Sequence, residues 1–392
     1  MKTSIKLVIS SPSIGGISVK YEIELPVVQM MDVLRRKPEL HDADAWFGAV
    51  RFALQFVFDD MHTTGEVKGG WGQSYADRYM RQTYPNGAPH DIVRQPDSPS
   101  GTAMVVEGLS DLLAVDDLLD GNIRELIAVC MRETGAYLRA RTNPETGASG
   151  VITRLSEGDS APAFDVRHTA MSLRAWSCLP GQYDYVVRCC KNLVDVSNGI
   201  DLGRERSLTV AAVWSALNWI ETQNHLQQGV PGADQIPFLR KKAEVALTKQ
   251  WSHACRGWYD GANARTTANW YTAFVLKELG RGHPEFGDEM NRCLREARQA
   301  LMDKLRVLPG DQCGLPYVQD GSPDLGMSCM LFNIFARSEG DDKNVRDISR
   351  SIGRFITRCT TDLETAQWTE DTYPWTLASL FSALRTMLEQ AR

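Results

Sequence analysis

The feature that most constrains the fold is a sequence pattern that recurs six times along the chain. Each copy has a turn containing glycine or tryptophan, followed by a helix that is headed by Thr or Ser and rich in small residues. The turns lie at residues 69–72, 147–152, 199–201, 257–260, 314–317 and 367–368, and the helix heads are Thr102, Thr169, Thr209, Thr267, Ser328 and Thr376. A unit repeated every several dozen residues is typical of an array that buries its core between neighbouring units.

Each unit predicts an outer helix, a turn and an inner helix. Glycine in the turn permits the chain to reverse, and the Ser or Thr at the helix head can cap free amide groups. Small residues let the inner helices approach a common axis, and they are Ala170, Ala211, Ala212, Ala268, Ala273, Ala378 and Ala383. We therefore predict an all-α fold, an (α/α)6 toroid of six helix-turn-helix units that spans residues 27–392.

The first 26 residues have a different pattern, with apolar residues at every second position. The alternating residues are Ile17, Val19, Tyr21, Ile23 and Leu25, and an earlier apolar run covers residues 5–9. This period of two predicts a short N-terminal β-hairpin as a separate segment, residues 1–26. Because an isolated hairpin is only marginally stable, we expect it to lie on the helical body or to pair with a strand of a partner.

The net charge and the cysteines of the chain indicate which binding partners and which cellular compartment suit it. The net charge of -6 argues against nucleic acid or an anionic membrane surface as the main partner. The N-terminus has no secretory signal pattern, and no apolar run has the length of a transmembrane helix. Nine cysteines, mostly within helical patterns, suit reduced thiols. These features predict a cytoplasmic protein that neither binds nucleic acid nor inserts into a membrane.

Two segments resemble the toroid superfamily of terpenoid cyclases and protein prenyltransferases, with squalene cyclases the most similar. Gln250 followed by residues 257–258 looks like the glutamine-tryptophan repeat of those cyclases. Residues 165–170 resemble their Asp-x-Asp-Asp-Thr-Ala signature. As architecture the resemblance covers most of residues 45–390, and it implies the same ring of paired helices.

The catalytic position of that signature differs in this chain. The family uses the middle aspartate as a proton donor, but here Arg167 stands there, and His168 replaces the last aspartate, so that only Asp165 is carried over. A guanidinium remains protonated and cannot serve as a strong acid. The prenyltransferase branch uses a zinc, yet the pair His253 and Cys255 lacks a third or fourth ligand of recognisable spacing. We therefore predict no metal and no cofactor.

Polar and aromatic residues near the turns are the candidate site, because a toroid opens its central cavity there. We predict that Asp165 and His168 are catalytic, if the chain is an enzyme. The predicted ligand-binding residues are Arg167, Arg204, Arg206, Arg265, Trp270, Asp371 and Trp375. The alternative, in which these charges pair with one another across neighbouring turns, stays open.

Three classes of function are compatible with these residues, and whether the chain is an enzyme stays open. The first, which the missing acid favours, is a binding or regulatory toroid that holds a partner protein, peptide or polar ligand. The second is an isoprenoid-active enzyme in which Asp165 or His168 performs acid/base chemistry and Arg167 binds an anion such as a diphosphate. The third is a six-hairpin glycan-processing enzyme, whose candidate carboxylates are Asp201, Asp260, Asp324 and Asp371.

Overall fold

The computed structural model describes twelve stretches of the chain, and eleven α-helices lie within them. The described residues are 4–10, 20–26, 70, 99–114, 121–154, 160–223, 229–259, 269–281, 285–316, 322–336, 343–361 and 374–391. In chain order the helices are α1 (Pro99–Leu113), α2 (Gly121–Ala140), α3 (Val166–Cys178), α4 (Tyr183–Gly199), α5 (Ser207–Thr222), α6 (Ile236–Lys249), α7 (Asn269–Leu279), α8 (Asp288–Asp303), α9 (Leu325–Ala336), α10 (Lys343–Thr361) and α11 (Pro374–Ala391).

The odd-numbered helices form a closed inner ring, which confirms the predicted toroid. Helix α1 packs on α3, and the contacts continue through α5, α7, α9 and α11, which returns to α1. The even-numbered helices lie outside this ring, each against its inner neighbours. Burial explains the division, because α9 is apolar and buried along almost its whole length, whereas α8 buries only one stripe.

Small residues allow the inner helices to pack closely, as the sequence predicted. On α1, a Cβ added to Gly108 would lie 2.8 Å from the Cα of Ala378 on α11. Any side chain at position 108 would therefore push these two helices apart. Ala170, Ala211 and Ala273 are each fully buried within the same ring.

Four antiparallel strand pairs accompany the helices in the described ranges. The first joins β1 (Ser4–Ser10) to β2 (Lys20–Pro26), with Ile5 opposite Leu25, and it confirms the predicted N-terminal hairpin. The division into two domains at residue 26 remains a prediction. The other pairs are β3 (Gly150–Arg154) with β4 (Ser160–Phe164), β5 (Trp251–Ser252) with β6 (Gly257–Trp258), and β7 (Arg306–Leu308) with β8 (Gln312–Gly314).

Each of these three later pairs lies between an outer helix and the next inner helix. The strand pairs and the first residues of the inner helices therefore share one end of the ring, which we call the N-terminal face. Gln250 and Trp258 belong to this region and have structural roles. The Gln250 side chain donates a hydrogen bond to the carbonyl of Glu205, 2.8 Å away, and the buried Trp258 indole donates to the carbonyl of Leu247 at 3.0 Å.

The opposite end of the ring, the C-terminal face, is crossed by buried ion pairs. Arg174 on α3 binds Glu278 on α7 at 2.6 Å and also binds Glu107 on α1. Arg281, just after α7, donates to the same Glu107 at 2.8 Å, and Ser215 on α5 accepts from Arg174 at 3.1 Å. Two guanidinium groups thus neutralise two carboxylates in a region where an unpaired charge would be strongly destabilising.

None of the helices in the described ranges has the length and apolar character required to cross a membrane. None of the nine cysteines, all of which lie in the described ranges, forms a disulfide. Burial raises the pKa of the thiol at several of them, and Cys189, which is fully buried beside Cys190, is one example. A neutral thiol is a poor nucleophile and a poor metal ligand, so these cysteines act as core residues.

Candidate functional site

Two turns at the N-terminal face have the same helix cap. We call residues 165–169 the second-unit turn and residues 324–328 the fifth-unit turn. In the second-unit turn, Asp165 Oδ1 accepts hydrogen bonds from the backbone amides of Arg167 at 2.6 Å and His168 at 3.2 Å. In the fifth-unit turn, Asp324 Oδ1 accepts from the amide of Met327 at 2.8 Å. Both aspartates are therefore N-caps of inner helices.

A hydroxyl four residues after each cap ties the inner helix to the preceding turn. Thr169 Oγ1 accepts a hydrogen bond from the amide of Ser149, and Ser328 Oγ accepts one from the amide of Leu315, both at 3.0 Å. Each hydroxyl also donates to the carbonyl of its capping aspartate. The sequence-based expectation that these hydroxyls cap the helices is wrong, because the aspartates occupy that position.

His168 makes a side-chain contact between two inner helices. Its Nδ1 lies 2.5 Å from the hydroxyl of Ser100 on α1, and the two residues are only 5% and 8% exposed. Burial, and next the nearby Arg167 guanidinium, lower the pKa of His168 to about 4, while Asp165 acts in the opposite direction. The imidazole is therefore neutral at neutral pH, and its Nδ1 can accept the Ser100 proton.

Ser100 was missed by the sequence analysis, which placed the head of this inner helix at Thr102. The structure instead begins α1 at Pro99, so Ser100 is the second residue of an inner helix. Proline is favoured at the first position of a helix, where its missing N–H has no intrahelical partner. That preference was the signal for this boundary.

Glu205 brings a second carboxylate to the same side of the ring. It is half-buried and lies between the 3-10 turn Leu202–Arg204 and helix α5. Burial, and next the charge of Asp165, raise the pKa of the Glu205 carboxyl. The charge of Asp165 therefore acts on Glu205 across neighbouring units, and Glu205 retains its proton to higher pH than an isolated glutamate does.

Arg204 and Arg206 flank Glu205 and are exposed. The Arg204 guanidinium lies 3.3 Å from the carboxylate of Asp201, which itself caps the 3-10 turn through the amide of Gly203 at 3.0 Å. Surface pairs of this kind contribute little to stability. Arg204 thus pairs within its own turn, rather than across neighbouring turns as the alternative had it, and the Asp201 carboxylate has a structural partner.

The aromatic candidates meet on the other half of the N-terminal face. Trp270 on α7 and Trp375 on α11 lie edge to face, with ring centroids 6.1 Å apart. They meet above α9, where a Cβ on Gly326 would lie 2.4 Å from the Trp375 ring. Trp270 also stacks on Phe274 at 5.6 Å. Both tryptophans are half-buried, so that each retains an accessible part.

The N-terminal face thus has a charged half and an aromatic half. Asp165, His168 and Glu205 are associated on the first, and Trp270 and Trp375 on the second. Three of the predicted positions, Arg265, Asp371 and Asp260, lie outside the described residues. Within the part of the chain that the structure describes, no group of three or more His, Cys, Asp or Glu side chains could hold a metal ion.

Comparisons with known proteins identify the fold. No family model and no curated protein matches the chain. A family 76 glycoside hydrolase from a bovine Bacteroides thetaiotaomicron strain is similar in structure, with a TM-score of 0.58 and 8% identity over 96% of this chain and 82% of that one. A polysaccharide lyase has a TM-score of 0.52 and 9% identity, over 81% of this chain and 96% of its own.

A type II terpene cyclase from Scytonema is also similar, with a TM-score of 0.49 and 11% identity over 90% of this chain and 99% of its own. The glycoside hydrolase and the polysaccharide lyase, whose TM-scores are higher, agree with the α/α-toroid fold predicted from the sequence. The terpenoid cyclase resemblance is one of several within this fold. At such low identities, a similarity identifies the fold and not the activity.

Proposed function

We propose that the chain is a glycan-processing enzyme that acts at the N-terminal face of the ring, with Glu205 and Asp165 as its carboxylate pair. One observation carries the proposal: burial, and next the charge of Asp165, raise the pKa of the Glu205 carboxyl. Glycoside cleavage needs one protonated carboxyl that donates to the leaving oxygen and a second, ionised carboxylate. Glu205 suits the first role, and Asp165, whose Oδ1 accepts hydrogen bonds from two backbone amides, suits the second.

The aromatic half of the face supports a saccharide ligand. Sugar rings present apolar faces that stack on tryptophan, and Trp270 and Trp375 offer two ring surfaces at an angle of 66°. Arg167 and Arg206 would bind further polar groups of the ligand.

This proposal differs from the function that the sequence favoured. The comparisons give no support to a binding or regulatory role, and the glycan-processing alternative is the one that they support in part. The carboxylates also differ from those expected. The sequence suggested Asp201, Asp260, Asp324 and Asp371, and the proposed pair includes none of them; Asp260 and Asp371 lie outside the described residues.

The test is a screen of polysaccharides and oligosaccharides with the purified full chain. A reducing-end assay detects hydrolysis, and ultraviolet absorbance of unsaturated products detects lyase chemistry. We expect Glu205→Gln to lower the rate by roughly 10²–10⁴-fold, the usual contribution of general acid catalysis. Glu145→Gln, at an exposed glutamate between α2 and β3, is the control and should cleave at the parent rate. Absence of cleavage of every glycan, or an unchanged rate in Glu205→Gln, would contradict the proposal.

A further inference from the structure

We infer that Ser100 and His168 form a nucleophile–base pair that cleaves short-chain carboxylic esters, an activity separate from the proposed glycan cleavage. The two side chains come from neighbouring inner helices and meet at the N-terminal face, with Ser100 Oγ 2.5 Å from His168 Nδ1. A serine becomes nucleophilic when an adjacent base can accept its proton, and this distance is within hydrogen-bond reach. The low exposure of both residues favours a small acyl group.

The protonation state of His168 agrees with the role of a base. A neutral imidazole with an unprotonated Nδ1 accepts the hydrogen bond from the Ser100 hydroxyl, and burial keeps the ring neutral at neutral pH. Two charged groups then set the strength of this base. Arg167 disfavours the imidazolium that forms during the reaction, whereas Asp165 stabilises it.

The reaction needs only the ester and water. Ser100 Oγ attacks the carbonyl carbon while its proton moves to His168 Nδ1, which gives a tetrahedral intermediate. The bond from this carbon to the alcohol oxygen then breaks, and His168 returns the proton to the departing alcohol. Water attacks the acyl-serine in the same way, His168 again takes and returns a proton, and the carboxylic acid leaves with Ser100 restored.

Ser328 also lies at the start of an inner helix, but its hydroxyl has backbone partners, whereas the Ser100 hydroxyl contacts an imidazole. The Ser328 hydroxyl accepts from the amide of Leu315 at 3.0 Å and donates to the carbonyl of Asp324 at 2.6 Å. Both partners belong to the backbone, and neither can accept a proton during a reaction. Ser328 is therefore a matched control, since it is also buried within the first turn of an inner helix.

The experiment is labelling of the purified full chain with a fluorophosphonate probe, followed by peptide mass spectrometry. We expect an adduct on Ser100, at least tenfold slower labelling in His168→Gln, and labelling at the parent rate in Ser328→Ala. Turnover of p-nitrophenyl acetate should follow the same order. Arg167→Gln should increase both rates severalfold, because it removes the charge that opposes the imidazolium.

Peptide mapping of the unsubstituted chain decides the question even if a variant fails to fold, and circular dichroism identifies such a variant. A folded parent chain that carries no adduct on Ser100 would overturn the inference, as would equal labelling rates in the parent and His168→Gln. No glycan takes part in this assay. Its outcome is therefore independent of whether the chain cleaves glycans.

Discussion

The second-unit turn and the fifth-unit turn have the same hydrogen-bonded framework but different side chains after the cap. In both, an aspartate caps the inner helix and a hydroxyl four residues later binds the preceding turn. The second-unit turn then carries Arg167 and His168, where the fifth-unit turn carries Gly326 and Met327. The comparison teaches that these two units share one capping framework and differ at the second and third positions after the cap.

The largest expected difference between the turns is in catalysis. Asparagine can cap a helix as aspartate does, so Asp165→Asn and Asp324→Asn should both fold. Only Asp165→Asn removes the charge that acts on Glu205, and we expect it to lower glycan cleavage by roughly 10²–10⁴-fold. Asp324→Asn should retain the parent rate. Initial rates on one glycan measure this difference, and equal rates in the two variants would refute it.

The next difference is in stability at acid pH. The pKa of His168 is lowered from its ordinary 6.5 to about 4, so between these values the unfolded chain binds a proton that the folded chain does not. The free energy of unfolding should therefore fall as the pH drops from 6.5 to 4, by about 3 kcal/mol from this residue.

His168→Gln should remove that contribution, whereas Met327→Leu at the equivalent position should leave the pH dependence unchanged. Urea unfolding at several pH values between 4 and 7 measures both. If the parent chain and His168→Gln lose stability equally on acidification, His168 does not have the lowered pKa.

A smaller difference is expected from the position two residues after the cap. Gly326→Ala would place a Cβ 2.4 Å from the Trp375 ring and 2.6 Å from the hydroxyl of Thr376. We expect it to lower the free energy of unfolding by about 1–3 kcal/mol and to change the tryptophan fluorescence, because a tightly packed site must rearrange. Arg167→Ala, at a half-buried position, should cost less. Thermal unfolding of the two variants gives the order.

The two turns should differ least in the stability that their capping aspartates contribute. Asp165→Ala and Asp324→Ala each remove the side-chain acceptor of an N-cap, and each should lower the free energy of unfolding by about 1 kcal/mol. Because the framework is shared, the two losses should agree with each other. Urea unfolding at pH 7 is the measurement, and a clearly larger loss at one position would show that its aspartate has further structural partners.

The sequence predicted those parts of the fold that depend on local periodicity. Six repeated turns predicted six inner helices, and alternation before Pro26 predicted the β1–β2 pair. Arg174 was not recognised, because its partners are Glu107 and Glu278, 67 and 104 residues away along the chain. A charged residue on an apolar helix signals that a partner is needed, but nothing local identifies the partner.

The candidate site was predicted in part for the same reason. The signature-like residues 165–170 directed attention to Asp165 and His168, which do lie at the N-terminal face. The role proposed for Glu205 depends on the burial of its carboxyl and on the charge of Asp165 in a neighbouring unit. Residues 204–206 alone indicate neither. Ser100 was missed because the sequence analysis began this inner helix at Thr102, whereas the helix begins at Pro99. Proline is favoured at the first position of a helix, so Pro99 indicated the true boundary.

The ion pairs of the C-terminal face restrict how a long polymer can meet this protein. Glu107 and Glu278 come from α1 and α7, which lie three inner helices apart in a ring of six, and Arg174 binds both of them. These side chains cross the central axis, so a polymer cannot be threaded through the ring from one end to the other. A glycan polymer, the substrate class proposed above, would therefore bind and leave at the N-terminal face alone.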